Sequence, residues 1–541
     1  MTKISNRDRL RLIGGLGAFS AMNAIAVPAA VLGGSSAASA QGQRTLSWSV
    51  NPEPPSLNAA FTSASIVQQV SSKMMEGLCT YDHELNPLPG LAKSWEISPN
   101  GETIVFKLRE GVKWHDGKPF TSADVKFTFE EILKKRHPRG RATYANLEAV
   151  ETPDAMTAVF KLSGPSPYIM SSLAGAESPI LPKHIYDKAD PSKVREVNAP
   201  IGTGPFKFVN WERGSHLMLE RNPDYWDAGK PGIDQLIVRF IPDTGARVVA
   251  FETGELDLAG GFPVGLDDIV RLSKEPNIGV TSFGFAMLGA MHYFEFNMRD
   301  PQFQDVRVRQ AMAHAIDRDF LIKNVWFGFA SAATGPVSQK LANSYSADVP
   351  AYPFDPARAE ALLDEAGFPR KDDGIRFRIT HDPSPYNDRF KRFGEYFKQA
   401  MATIGVAVDL RIGDVGTWLR RVWTDNDYQT TSYGIYNTTD PSIGVQRMYW
   451  SKNIRKGVPY TNGSGYSNPE MDRIMEAAQV EPDPMKRKAL FADMQRKAMT
   501  DLPIIPILNE DYVTVYNKRV QNVEGDVAGV YGTFADISIA S

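Results

Sequence analysis

The chain has 541 residues, 42% of them hydrophobic, with 60 Lys and Arg against 63 Asp and Glu. Such a length allows about two to four domains, each with its own core. The near-balanced charge lacks the basic excess that neutralising a phosphate backbone requires, which excludes nucleic acid as a partner.

Residues 1–40 differ from the rest: Lys3, Arg7, Arg9 and Arg11 precede a mild apolar and glycine stretch that ends in Ala38-Ser39-Ala40. This is the build of a cleavable export signal, with small residues placed for a cut between Ala40 and Gln41. Gly14, Gly15, Gly17, Pro28, Gly33 and Gly34 interrupt the stretch too often for a membrane-spanning helix. Arg7-Asp8-Arg9 leaves both the general and the twin-arginine route open. Cys79 is the only cysteine, so no disulfide forms within the chain and no lipid-bearing cysteine stands at the cut. The expectation is a mature protein free in the periplasm. Cys79 itself, among apolar neighbours, reads as a small buried hydrophobe.

Past the leader, residues 45–50 alternate as a strand and meet Asn51-Pro52-Glu53-Pro54-Pro55, a turn that cannot be helical. A helix is predicted over 65–76. Strands over 94–97 and 103–108 flank Pro99-Asn100-Gly101, and Asp116-Gly117 makes another tight turn. Thr121-Ser122-Ala123-Asp124 has the spacing of a capping box that opens a helix through Glu130. Gly202-Thr203-Gly204-Pro205-Phe206 precedes a strand rather than a helix, so it reads as a backbone turn and not as a phosphate loop.

From about Phe294 helices and strands alternate: helices over 307–316, 354–366 and 390–404, strands over 376–380, 406–410 and 430–436, and a helical turn over 418–423. Phe390, Phe393, Phe397, Met401 and Ile404 share one helical face. The alternation predicts an α/β architecture with a parallel-type sheet covered by helices.

The parts of common catalytic sites are missing as sequence patterns. Gly463-Ser464-Gly465 has the wrong spacing for a nucleophile elbow, and the eight histidines lie singly rather than one helical turn apart. Trp114-His115-Asp116-Gly117 reads as turn structure. A carboxylate pair across a cleft leaves no sequence signature, so a secreted hydrolase stays as the competing class. No Met, His or Cys cluster points to a metal, and no cofactor is expected. The second half is instead rich in aromatic residues near polar loops: Tyr386, Trp418, Trp423, Tyr433, Tyr436, Tyr449 and Trp450. Rigid rings of this kind line clefts that bind without reacting, although core packing competes for each.

Ordered motifs then give a family. Leu91-Ala92-Lys93-Ser94-Trp95-Glu96, the run from Phe106 to Gly117 and Asp124-Val125 resemble the signature of the family 5 extracellular solute-binding proteins. The resemblance continues through Gly202-Thr203-Gly204-Pro205-Phe206, Arg221-Asn222-Pro223-Asp224-Tyr225-Trp226 and Asp305-Val306-Arg307 to Asp501-Leu502-Pro503. It implies a periplasmic binding protein of the type II fold, with two hinged lobes and an extra strand-rich subdomain on the first. Residues 44–85, 206–290 and 509–541 would form the core of lobe 1, residues 86–205 its extra subdomain, and residues 291–508 lobe 2. The implied function is the substrate-binding subunit of an ABC importer, a monomer that hands a peptide or peptide-like solute to a membrane permease and is not an enzyme.

Dipeptide binders of the family hold the ligand ammonium with an aspartate shortly before an Asp-Pro, and its carboxylate with an arginine just before a Pro-Tyr. In ungapped register these positions fall on Tyr436 and Ser384, so both anchors are absent. A slip around 437–439 would offer Asp440 instead. A modified peptide, an opine-like conjugate and a glycoside therefore stay open as ligands. The expected site comprises Trp418, Tyr433 and Tyr436 as stacking walls, Asn437 and Asp440 as polar anchors, and Tyr386 and Arg421 as contacts from neighbouring loops.

Overall fold

Three sheets organise the chain in the computed structural model, which describes residues 44–540; the export leader predicted over 1–40 lies outside them. The first sheet has seven strands in the order Ile278–Thr281, Thr514–Asn517, Leu258–Gly260, Thr45–Val50, Gln235–Phe240, His216–Arg221 and Phe206–Glu212. Its centre is Thr45–Val50, which pairs in parallel with both neighbours and buries Leu46, Trp48 and Val50. The second sheet is an antiparallel set of four: Ala92–Ile97, Thr103–Leu108, Thr157–Leu162 and Leu147–Asp154. Phe106 and Phe160 meet edge to face on its inner side, ring centres 5.0 Å apart.

The third sheet carries six strands in the order Ala330–Ala332, Ile504–Glu510, Ala290–Phe296, Thr430–Tyr436, Phe377–Pro383 and Val406–Leu410. It is mixed rather than parallel as expected. Phe377–Pro383 runs parallel to both neighbours, but Ala290–Phe296 pairs antiparallel with Thr430–Tyr436 and with Ile504–Glu510. The parallel part comes from strand–helix–strand crossovers; the antiparallel part is built by the strands that enter and leave this region from the first sheet. Helix Asp388–Thr403 covers one face with Phe390, Phe393, Phe397 and Met401. Each such buried side chain contributes about 2–3 kcal/mol of transfer free energy.

Local sequence accounts for most boundaries. Asp124 accepts from the Thr121 amide at 2.9 Å, closing the expected capping box, and the helix that starts at Ser122 continues through a wider π turn to Arg136. Asp305, Asp355 and Asp483 cap later helices with side-chain oxygens.

The helix predicted over 65–76 stops at Ser71. The carbonyls of Lys73 and Met74 are taken by the amides of Phe206 and Gly204 at 3.2 and 3.0 Å, which ends the helical ladder. A Cβ on Gly202 would stand 1.8 Å from the Met74 oxygen, so this docking requires glycine. His115 locks the same turn from the other side, with Nδ1 accepting from the Gly202 amide at 3.2 Å and Nε2 donating to the Gly204 carbonyl at 3.0 Å. Burial pushes this imidazole down to about 4, so it stays neutral. The expectation of turn structure at both motifs holds.

Candidate solute cavity

A cavity of about 750 Å³ opens where the loops of the three sheets converge. Residues from the stretches 63–69 and 171–177 with Arg139 and Tyr531 line one side, and residues from 384–390, 434–436 and 438–439 with Arg447 and Tyr460 line the other. Tyr512 lies on the connection between Ile504–Glu510 of the third sheet and Thr514–Asn517 of the first, and it reaches the cavity as well.

Three arginines reach this space, each held differently. Arg139 donates through Nε to Glu177 at 2.8 Å, and Gln68 donates to the same carboxylate at 2.8 Å. Burial opposes the charge on Glu177, but the attraction and hydrogen bonding of Arg139 outweigh it and hold the carboxyl below its ordinary value. Arg389 pairs with Glu510 at 3.0 Å, its guanidinium lying between the rings of Phe262 and Phe390 at 4.8 and 4.7 Å from their centres. Both partners are almost fully buried, and Glu510 raises the Arg389 pKa against the opposing effect of burial.

Arg447 sits in the short helix Gln446–Tyr449, where Nε donates to the Gly444 carbonyl at 2.9 Å and Nη2 to the Tyr436 carbonyl at 3.0 Å. No carboxylate among the described residues lies within 4.0 Å of it. Burial, with the repulsion of Arg139, pushes its pKa down to about 10. Gly444 permits this arrangement, because a Cβ there would meet the Asn437 carbonyl at 1.6 Å.

Ser384 gives its amide to Ser432 at 2.8 Å, while its buried hydroxyl on the cavity wall has no partner. Gly434 lets the Phe390 ring close against the strand, since a Cβ there would lie 2.7 Å from it.

Of the residues expected from the sequence, Tyr386 and Tyr436 line the cavity; Tyr386 is 51% exposed and Tyr436 meets the Tyr512 hydroxyl at 3.3 Å. The other five stand elsewhere. Trp418 is 2% exposed, and its Nε1 donates to the Asp382 carbonyl at 3.2 Å and the Thr431 hydroxyl at 3.1 Å. Tyr433 is fully buried beside it and donates to Glu295. Arg421 is drawn to the buried carboxylate of Asp382 at 3.1 Å. Asn437 is spent on structure, accepting from the Ser338 amide at 2.6 Å and donating to the Tyr293 hydroxyl at 3.2 Å.

Asp440 is gripped by Arg487 at 2.6 and 2.9 Å and caps the turn at Ser442, so a register slip does not bring its carboxylate to the wall. Arg139, Glu177, Arg389 and Arg447 escaped the sequence reading. For Arg447 a signal existed: it is the one charge in the otherwise apolar and polar run Ile443 to Tyr449. Among the described residues no group of three or more His, Cys, Asp or Glu is placed to hold a metal ion.

A family model described as bacterial extracellular solute-binding proteins, family 5 middle, matches residues 86–457. A Brucella ovis protein named as an ABC transporter peptide-binding protein is 33% identical over 447 residues, covering 79% of this chain and 80% of its own. The glutathione-binding protein GsiB of Pectobacterium atrosepticum is 28% identical over 489 residues, 87% of this chain and 91% of its own. The solved structure of CtaP, an ABC transporter substrate-binding protein from Listeria monocytogenes, superposes with a TM-score of 0.82 at 26% identity, over 92% of this chain and all of that one.

Proposed function

The chain belongs to family 5 of the bacterial extracellular solute-binding proteins, and we propose that it captures a short peptide or peptide-like solute in the 750 Å³ cavity. Proteins of this family are substrate-binding components of ABC importers, not enzymes, and they work outside the cytoplasm. The observation that carries the ligand reading is a cavity walled by aromatic rings and guanidinium groups. Rings give broad contact at low entropic loss, and guanidinium groups give direction to carbonyl and carboxylate oxygens.

The lobes of this reading are residues 44–85, 206–290 and 509–541 with the subdomain 86–205 on one side, and residues 291–508 on the other. Two connections fit a hinge between them: Gly284 to Gly289, both with positive φ, and the stretch from Glu510 to Thr514. Closure would bring Tyr386, Tyr436 and Tyr460 against solute held by the opposite wall. Trp418 and Tyr433 act from behind, as packing that fixes the wall. The protein works as a monomer, exported by cleavage after Ala40 and free of a lipid anchor.

Thermal unfolding against di-, tri- and tetrapeptide mixtures tests the reading. A solute at one hundred times its Kd stabilises by about 2.7 kcal/mol, several degrees in Tm. Peptides that leave Tm unchanged while sugars or esters raise it would sink the peptide reading.

A further inference from the structure

Among the described residues three guanidinium groups reach the cavity, and two of them meet a carboxylate: Arg139 has Glu177 and Arg389 has Glu510. Arg447 is held by two backbone carbonyls alone. Two of its five N–H groups are engaged, which leaves Nη1 and half of Nη2 as a planar edge beside the cavity. An enclosed cation without a counter-ion is unfavourable until an anion arrives, and a planar N–H edge matches the two oxygens of a carboxylate.

No acidic side chain with free oxygens lines the cavity among the described residues. Glu177 is the one acidic residue among the described lining residues, and its two oxygens already take Arg139 and Gln68. A solute ammonium entering here would lose its water and meet no free carboxylate, with a net positive charge nearby. Ser384 lines the wall without adding a charge, its hydroxyl being buried and unpartnered. The ligand chemistry that satisfies both observations has a carboxylate at one end and an uncharged amide at the other.

We propose that Arg447 is the carboxylate anchor for an N-acylated short peptide, a solute whose amino end carries no charge; this rests on the cavity being the solute site.

Native mass spectrometry of the purified protein tests this with three probe mixtures: N-acetyl dipeptides, the same dipeptides with free amines, and N-acetyl dipeptide amides. The acetylated acids should bind at least about tenfold more tightly than either other mixture. Arg447→Gln should weaken the acids about thirty-fold or more, leave the amides where they were, and retain the wild-type Tm; Arg447→Lys, which keeps the charge but not the fork, should fall between. Free-amine dipeptides that bind as tightly as the acetylated acids would overturn the assignment, as would an Arg447→Gln loss equal for acids and amides. Should none of the three mixtures bind, the peptide-solute reading itself fails and takes the assignment with it.

Discussion

Strand Thr430–Tyr436 separates two polar regions that solve burial in opposite ways. Behind it, Glu295 accepts hydrogen bonds from Tyr428 at 2.8 Å and from Tyr433, while Trp418 donates to Thr431 and Asp382. These groups satisfy one another and form a closed polar core. At its far end Tyr436 lends its carbonyl to Arg447, whose remaining donors meet no acidic side chain among the described residues. Buried polar groups are normally paired, and the free Arg447 donors differ from an unpartnered core atom such as Trp423 Nε1 in lying on a cavity wall, where a ligand can complete the pairing. Aromatic content alone does not discriminate between the regions, for both are rich in rings.

The comparison is broken most directly at Trp418. If its ring is core, Trp418→Ala should lower unfolding free energy by about 3–5 kcal/mol in chemical denaturation. A stable variant with weakened solute binding would return Trp418 to the ligand site. Arg487→Met leaves the Asp440 carboxylate buried without its partner and should cost about 3–5 kcal/mol as well, without a direct effect on the cavity. An unchanged stability would mean that Asp440 reaches water or another cation.

The closed region also has a pH signature. Burial pushes Glu295 up to about 7, against the opposing hydrogen bonds of Tyr433 and Tyr428, and burial does the same to Glu76. A carboxyl whose folded pKa exceeds its unfolded value adds stability that is full below the unfolded pKa near 4.5 and is lost as pH rises through about 7. Between those limits Glu295 should remove roughly 1–3 kcal/mol, and Glu295→Gln should flatten that part of the profile while the Glu76 part remains. A profile that keeps its full slope in Glu295→Gln would show that this carboxyl does not titrate there. The smallest effect belongs to Tyr386→Ala at the cavity rim: stability within about 0.5 kcal/mol of wild type, and solute affinity weaker by about 1 kcal/mol in calorimetry.

The fold was legible where local chemistry decides it. The capping box at Thr121, the apolar face from Phe390 to Met401 and the alternation of 406–410 each specify an element without help from afar. The early end of the helix at Ser71 was not legible, because it depends on amides of Gly204 and Phe206, far along the chain. The mixed third sheet escaped for the same reason: strand order and direction are set by chain crossings, not by periodicity.

Tyr386 and Tyr436, which flank loops at strand ends, line the cavity. Trp418 and Tyr433 are buried in the core, a placement the sequence does not decide because an aromatic ring next to a polar loop reads alike whether it faces the cavity or the core. Arg421 and Asp440 resemble ligand anchors in sequence but are consumed by Asp382 and Arg487, partners 39 and 47 residues away. Arg447 is the reverse case: its sequence signal is only that of a lone charge in the run Ile443 to Tyr449, and it has no acidic partner within 4.0 Å among the described residues.

The measurement closest to the central claim is amide hydrogen exchange with and without the peptide mixture that most raises Tm. Solute held between two walls should protect residues 63–69 and 171–177 together with 384–390 and 434–447, while strands Thr103–Leu108 and Val406–Leu410 stay unchanged. Protection confined to one wall, or lying outside both, would contradict a cavity that closes on its solute.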